Sequence, residues 1–229
     1  RKRMVNLYIL HTANMDDPRE HKEWKQLLPE GRWEKAVRMV LPEDRKNSAG
    51  AGWLMRYAFR EKGFFLEKEH LYLGKHGKPK HKTVHFNVSH SGEYVICVTA
   101  EKEIGCDIQK ITTVREKIMN RFFSPEEKRY VCQGGENATD TKAERFTRIW
   151  TRKESYVKRS GEGLTGDLRE IPCLDGRDFY EQKRNGYLLS VCYEDVGKKS
   201  DSFREKNGND QEETVRVKVL HDGQVWGID

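Results

Sequence analysis

IGCDIQ, residues 104–109, is the stretch on which the reading of this chain turns. It reads as a β-strand, yet it carries a carboxylate, Asp107, and a neutral amide, Gln109, two residues on and on the same side. Aspartate is disfavoured in strands. Two accounts of Asp107 are open from the local sequence. It either ends the strand and starts a turn, or it is an oxygen ligand for a hard cation such as Mg²⁺.

Upstream, VHFNVSHSGEYVICVTA (84–100) predicts a strand, a turn at Ser91-Gly92 and a near-continuous apolar strand. EKE (101–103) then reads as a short hairpin loop with IGCDIQKI as the returning strand. Further back lie a β-rich opening (MVNLYIL), a helical stretch with a turn at Pro29, a second helix closed by Gly63, and a basic, Gly/Pro-punctuated loop, GKHGKPK (74–80). Downstream, one helix runs to Phe123, and Ser124 with Pro125 caps and opens another. After the loop GGENATDTK, a long helix ends near Gly161 or Gly163. The remainder is β-like: YLLSVCYED, then TVRVKVL and VWGI as a hairpin about an Asp-Gly turn. Residues 195–213 are polar and predict a mobile surface loop. The order suggests an α+β fold of two similar halves, 1–103 and 104–229, meeting at the quoted strand.

The composition permits this. Hydrophobic and charged residues each make up 35% of 229, which is polar but still globular, and the formal net charge of +6 favours anionic partners without choosing among them. Five cysteines form no CxxC pair, so they read as reduced thiols of a cytoplasmic protein rather than a zinc site or disulfide framework. No apolar run approaches the roughly 18 residues that span a membrane, and RKRMVNLYIL is too short in its apolar part for a signal peptide.

Three further pieces can carry chemistry. In WTRKESYVK (150–158), Trp150, Glu154 and Lys158 recur every four residues and share a helix face, with Lys153 beside them. This is either a solvated face with an ion pair or a carboxylate and an ammonium aimed into a cleft. In FNVSHS (86–91), Ser89, His90 and Ser91 either make a turn or hold a phosphate; no GxSxG elbow accompanies them. GKHGKPK supplies glycines for close backbone approach and lysines for anions, but it is not a Walker A loop.

These pieces, with Gly-Lys-Pro at 77–79 and RFFSPEE at 121–127, occur in an order that resembles the Sfp-type 4′-phosphopantetheinyl transferases over roughly residues 30–165. The resemblance implies a pseudo-dimer of two α/β subdomains with the active site between them. It implies transfer of phosphopantetheine from coenzyme A to a serine of an apo acyl or peptidyl carrier protein, with release of adenosine 3′,5′-bisphosphate. Asp107 and Glu154 would bind Mg²⁺, Glu154 or a metal-associated water would take the serine proton, and Lys158 would stabilise or protonate the leaving phosphate. Ser89 and His90 would meet the coenzyme A phosphates, Lys78 and Pro79 its adenine end, and Lys35, Arg45, Lys46, Ser48 and Lys153 would complete the coenzyme-binding set. Asn47 stands where relatives commonly have arginine, and Gln109 where many have a third acidic ligand. Gln109, a weaker ligand than a carboxylate, would meet the metal through its carbonyl or through a water in its place, so the resemblance implies a two-carboxylate site with looser Mg²⁺ binding and usable Mn²⁺ activity.

The segment TTVREKIMNRFF would lie near the carrier, with Met119, Phe122 and Phe123 as candidate apolar contacts. Two joined halves imply a monomer without membrane or nucleic-acid partners. The competing readings are an inactive coenzyme- or carrier-binding protein of the same fold, supported only by Gln109, and a basic nucleic-acid-binding protein, opposed by interspersed acids and the lack of a recognisable binding motif.

Overall fold

Parity decides where each strand of this chain goes. The computed structural model describes residues 4–66, 71–134, 139–161, 163, 167–176, 178–193 and 214–221. Along the chain these form β1 (Met4–His11), α1 (Trp24–Leu27), α2 (Arg32–Val37), α3 (Pro42–Arg60), a small hairpin of β2 (Tyr72–Leu73) and β3 (Pro79–Lys80), then β4 (His85–Ser91), β5 (Tyr94–Ala100) and β6 (Gly105–Lys110). Helices α4 (Glu116–Phe122), α5 (Pro125–Gln133) and α6 (Lys142–Ser160) follow, and β7 (Phe179–Arg184), β8 (Tyr187–Cys192) and β9 (Thr214–Leu220) complete them.

Two larger sheets result, in the orders β4-β5-β1-β9 and β6-β8-β7. In β1, Val5, Leu7 and Ile9 point into a core shared with Ile96 and Val98 of β5, Cys106 and Ile108 of β6, and Leu189 and Val191 of β8. Tyr8 and Leu10, of opposite parity, point the other way, into a core under α3 with Trp53, Leu54 and Phe59. A third core joins α4, α5 and α6 through Met119, Phe123, Val131, Phe146, Ile149 and Trp150. One 19-residue helix packs on each larger sheet, α3 on the first and α6 on the second. The α+β class holds.

Two expectations need correction. Residues 101–103 do not close a hairpin. Strand β5 already has β4 on one edge and β1 on the other, so β6 has no edge to return to and pairs antiparallel with β8 instead. Nor does the division at 103/104 separate two self-contained halves, because β9 crosses back and pairs parallel with β1, Met4 opposite Thr214 through Leu10 opposite Leu220. Parallel pairing requires a long connection rather than a hairpin. Residues 195–213 and the second arm of the expected terminal hairpin lie outside the described residues.

The helix signals are realised locally. Ser124 with Glu127, and Thr141 with Glu144, form reciprocal capping boxes at α5 and α6. Gly161, with φ of 69°, ends α6 in a left-handed conformation that costs glycine nothing. Of the five free cysteines, four are buried and Cys132 is exposed.

Candidate active site

The quoted strand makes sense once its two faces are separated. Cys106 and Ile108 face the shared core, while Gly105, Asp107 and Gln109 face α6. A Cβ on Gly105 would lie 2.0 Å from the Ser155 carbonyl oxygen and 2.3 Å from the Arg159 nitrogen. Only glycine lets the α6 backbone approach this closely, and that approach carries Glu154 and Lys158 up to Asp107.

Asp107 is 1% exposed. Its Oδ1 accepts from Lys158 Nζ at 2.6 Å and from Ser89 Oγ at 2.8 Å, and its Oδ2 accepts from Gln109 Nε2 at 3.0 Å. Lys158 Nζ also donates to Ser89 Oγ at 3.0 Å. Burial alone would lower the pKa of Lys158, but the adjoining Asp107 charge and hydrogen bond outweigh it and push the ammonium above its ordinary value. Glu154, half-buried one turn before Lys158, is pushed up, first by burial and then by the charge of Asp107; Lys158 and Arg115 oppose the shift. Arg115 lies with its guanidinium 5.6 Å from the Trp150 ring centroid and 5.7 Å from that of Phe146.

His90 follows Ser89 on β4 and is exposed. Partial desolvation, then the positive charges of Lys158, Lys35 and Arg32, hold it below its ordinary pKa, while Asp44 pulls the other way. Beside Lys158, a cavity of about 220 Å³ is lined by His76, Gly77, Lys78 and Pro79 of the basic hairpin, Asn87 and Val88 of β4, and Val157 and Gly161 at the end of α6.

This chain matches the model of the 4′-phosphopantetheinyl transferase superfamily over residues 103–205. It is 31% identical over 160 residues to the 4′-phosphopantetheinyl transferase Sfp of Bacillus subtilis, covering 66% of this chain and 69% of that one. It is 30% identical over 202 residues to the 4′-phosphopantetheinyl transferase ffp of the same species, covering 78% and 88%. The chain belongs to the 4′-phosphopantetheinyl transferase superfamily. Other relatives are matched over less of their length. A further Bacillus subtilis 4′-phosphopantetheinyl transferase is 34% identical over 59% of its chain, and the gsp transferase of Aneurinibacillus migulanus is 36% identical over 33%.

Within this chain, the residues expected in the site divide into two groups. Asp107, Glu154, Lys158, Ser89 and Gln109 come together, with His90 and Lys35 close by. Pro79 and Lys78 line the adjoining cavity. Lys153 does not belong with them. It is wholly buried, paired with Glu127 Oε1 at 2.8 Å and donating to the Leu168 carbonyl at 2.6 Å, and an ammonium so enclosed has no reach to a ligand. Arg45 is likewise taken up by Asp17, whose Oδ2 lies 2.5 Å from Nη2, and by the carbonyls of Met39 and Val40. Lys46 donates to the Ala13 carbonyl at 3.2 Å. Ser48 is buried with its hydroxyl unpartnered among the described residues.

Lys78 uses its ammonium as a clamp, donating to Glu103, to the Ile104 carbonyl and to the Arg159 carbonyl near the end of α6. Asn47 takes up a structural task, since it accepts from Thr12 at 2.7 Å and donates to the Gly92 carbonyl at 2.6 Å, pinning the β4–β5 turn to α3. Of the apolar residues expected at the carrier surface, Met119 and Phe123 belong to the core, and Phe122 is half-buried.

Sequence reasoning missed Gly105, Arg115 and Arg32. No local signal marks Gly105, because its constraint comes from a helix some fifty residues on. Arg115 lies in the segment flagged for the carrier and goes unnoticed beside its apolar neighbours.

The donor set suits a divalent hard cation. Asp107 and Glu154 offer only oxygen, and the charge of Asp107 raises the proton affinity of Glu154, a repulsion that a shared cation relieves. Among the described residues, no group of three His, Cys, Asp or Glu could hold a metal, so substrate oxygens or water would complete the shell.

Proposed function

We propose that this chain transfers the 4′-phosphopantetheine group of coenzyme A to a serine of an apo acyl or peptidyl carrier protein, releasing adenosine 3′,5′-bisphosphate. The observation that carries the proposal is the junction node, in which Asp107, Ser89 and Lys158 are mutually bonded and Glu154 stands one turn away. Asp107 and Glu154 would hold Mg²⁺, with Mn²⁺ as a substitute. When bound, the cation would neutralise phosphate charge and orient the reacting phosphorus.

The remaining work falls to the chain's own groups. Glu154, its proton affinity raised, is suited to take the proton of the attacking serine. Lys158, its pKa raised by Asp107, stays cationic near neutrality and so suits charge stabilisation at the leaving phosphate better than proton donation. His90 and Lys35, with Arg32 behind them, would meet the nucleotide phosphates, and the cavity at Gly77–Pro79 would take the base. Gln109 supplies an amide to Asp107 rather than a third negative charge, which supports looser metal binding.

The carrier would dock on α4 and the segment before it. Lys110, Arg115, Lys117 and Arg121 are exposed there, with Ile118 and Phe122 half-buried between them, a surface complementary to an acidic partner. One chain supplies both halves of the cleft, which favours a monomer. Among the described residues, no helix is long and apolar enough to cross a membrane.

The test is transfer itself. Purified protein, coenzyme A, Mg²⁺ and a panel of apo carrier proteins are followed by intact mass, with Asp107→Ala and Glu154→Ala alongside. The phosphopantetheine increment on one or more carriers, lost in both variants, is expected. Coenzyme A binding without modification of any carrier would instead make the protein an inactive binder.

A further inference from the structure

The two sheets meet at β4 and β6, yet these strands are not joined by a backbone ladder. Asn87 Oδ1 accepts from the Cys106 N–H at 2.9 Å, Ser89 Oγ from the Ile108 N–H at 3.4 Å, and Ser91 Oγ from the Lys110 N–H at 3.0 Å. The partners are 19 residues apart each time, so the two strands run parallel in one fixed register. Every second side chain of β4 thus satisfies an amide on the edge of β6 that β8 does not cover. The Cys106 and Ile108 amides are buried, and leaving either open would be costly; the Lys110 amide lies at the exposed end. A backbone ladder would hold the strands about 4.8 Å apart; an interposed side chain holds them farther apart, and the node of Asp107, Ser89 and Lys158 occupies the same seam.

We infer that Asn87 and Ser91, flanking Ser89, are positioning residues that set the register between the two parts of the site. Asp107, Glu154 and Lys158 belong to the second half of the chain, while His90 and Lys35 belong to the first. The seam fixes the span between them, and coenzyme A must bridge it with its pyrophosphate at one end and its nucleotide phosphate at the other. The inference rests on the transferase reading for its effect on coenzyme A, but the seam itself is testable without any activity.

Ser91 sits at the open end of the seam, where a substitution leaves the cores intact. In Ser91→Ala the Lys110 amide is expected to exchange its hydrogen faster, and the KM for coenzyme A to rise about tenfold, equivalent to about 1.4 kcal/mol, with the KM for the carrier unchanged. Ser91→Thr keeps an oxygen acceptor and a strand-compatible side chain, and should behave as the parent in both readouts. Asn87→Leu should speed hydrogen exchange at the Cys106 amide; because Asn87 also lines the cavity beside Lys158, only its exchange readout bears on the seam.

A purely structural role would lower stability without separating the two KM values. Unchanged exchange at Lys110 in Ser91→Ala overturns the seam. Faster exchange with an unchanged KM for coenzyme A overturns the positioning role. A parent protein that transfers nothing overturns the transferase reading, and the exchange measurement still decides the seam.

Discussion

Gly105→Ala adds one methyl group at the closest approach in the site. Its Cβ would meet the Ser155 oxygen at 2.0 Å and the Arg159 nitrogen at 2.3 Å, where ordinary contact begins at 3.4 Å, and both neighbours are backbone. No side-chain rotation can relieve this. Either β6 or α6 must retreat by about 1.4 Å. Asp107 lies two residues along β6, and Glu154 and Lys158 bracket Ser155 on α6, so the retreat separates the reacting groups directly. Overpacking of this kind costs about 1–3 kcal/mol in stability, which the fold can absorb. A misplacement of about 1 Å in a catalytic constellation costs on the order of 100-fold in rate. The expected variant is therefore folded, with kcat/KM for carrier modification down by about 100-fold or more. Urea unfolding gives the first quantity, and the initial rate of mass increment on the carrier the second. Parent-like kcat/KM in Gly105→Ala would refute the claim that close β6–α6 packing assembles the site.

Three other outcomes are expected. Gln109→Glu replaces an amide that donates to Asp107 with a carboxylate; Mg²⁺ affinity should rise in a calorimetric titration, and unchanged metal dependence would refute the two-carboxylate account. Lys153→Met leaves Glu127 buried without its partner and should destabilise the fold by about 3–5 kcal/mol, while adding Glu127→Gln, which keeps the cap on Ser124 and removes the charge, should recover part of the loss in urea titrations. Burial alone would raise the pKa of Glu103, but hydrogen bonds from Lys78 and Lys80 lower it from 4.5 to about 2. The group therefore adds stability above its unfolded pKa and loses it as pH falls toward about 2, so the stability difference between the parent and Glu103→Gln should shrink over that window. Because the carboxylate is 39% exposed, that difference should be about 1 kcal/mol or less.

The parts of this molecule that were readable in advance are those with local causes. Ser124 and Thr141 announce helix starts because the residues they bond lie three positions on, and Gly161 ends α6 because its own φ requires it. Asp107, Glu154 and Lys158 were found through motif and helical spacing. What escaped prediction depends on pairings formed at a distance. Nothing near residue 101 shows that both edges of β5 are filled, so β6 looked like a returning hairpin arm. Lys153 and Arg45 looked like ligand-binding cations because a sequence shows a charge and not its counterion; Glu127 and Asp17 are the partners that take them out of the site. Ser89 was expected to touch phosphate, but its hydroxyl is already shared among Asp107, Lys158 and the Ile108 amide.

The return of β9 to β1 has a consequence for how the chain is made. The outer edge of β1 is covered by residues 214–220, which emerge from the ribosome after all the other described strands. Until then, the first sheet carries an open edge lined with Val5, Leu7 and Ile9, the kind of surface that recruits foreign strands. Strand β9 is therefore the clasp that closes this edge against aggregation during synthesis, and fragments ending before residue 214 should be poorly soluble.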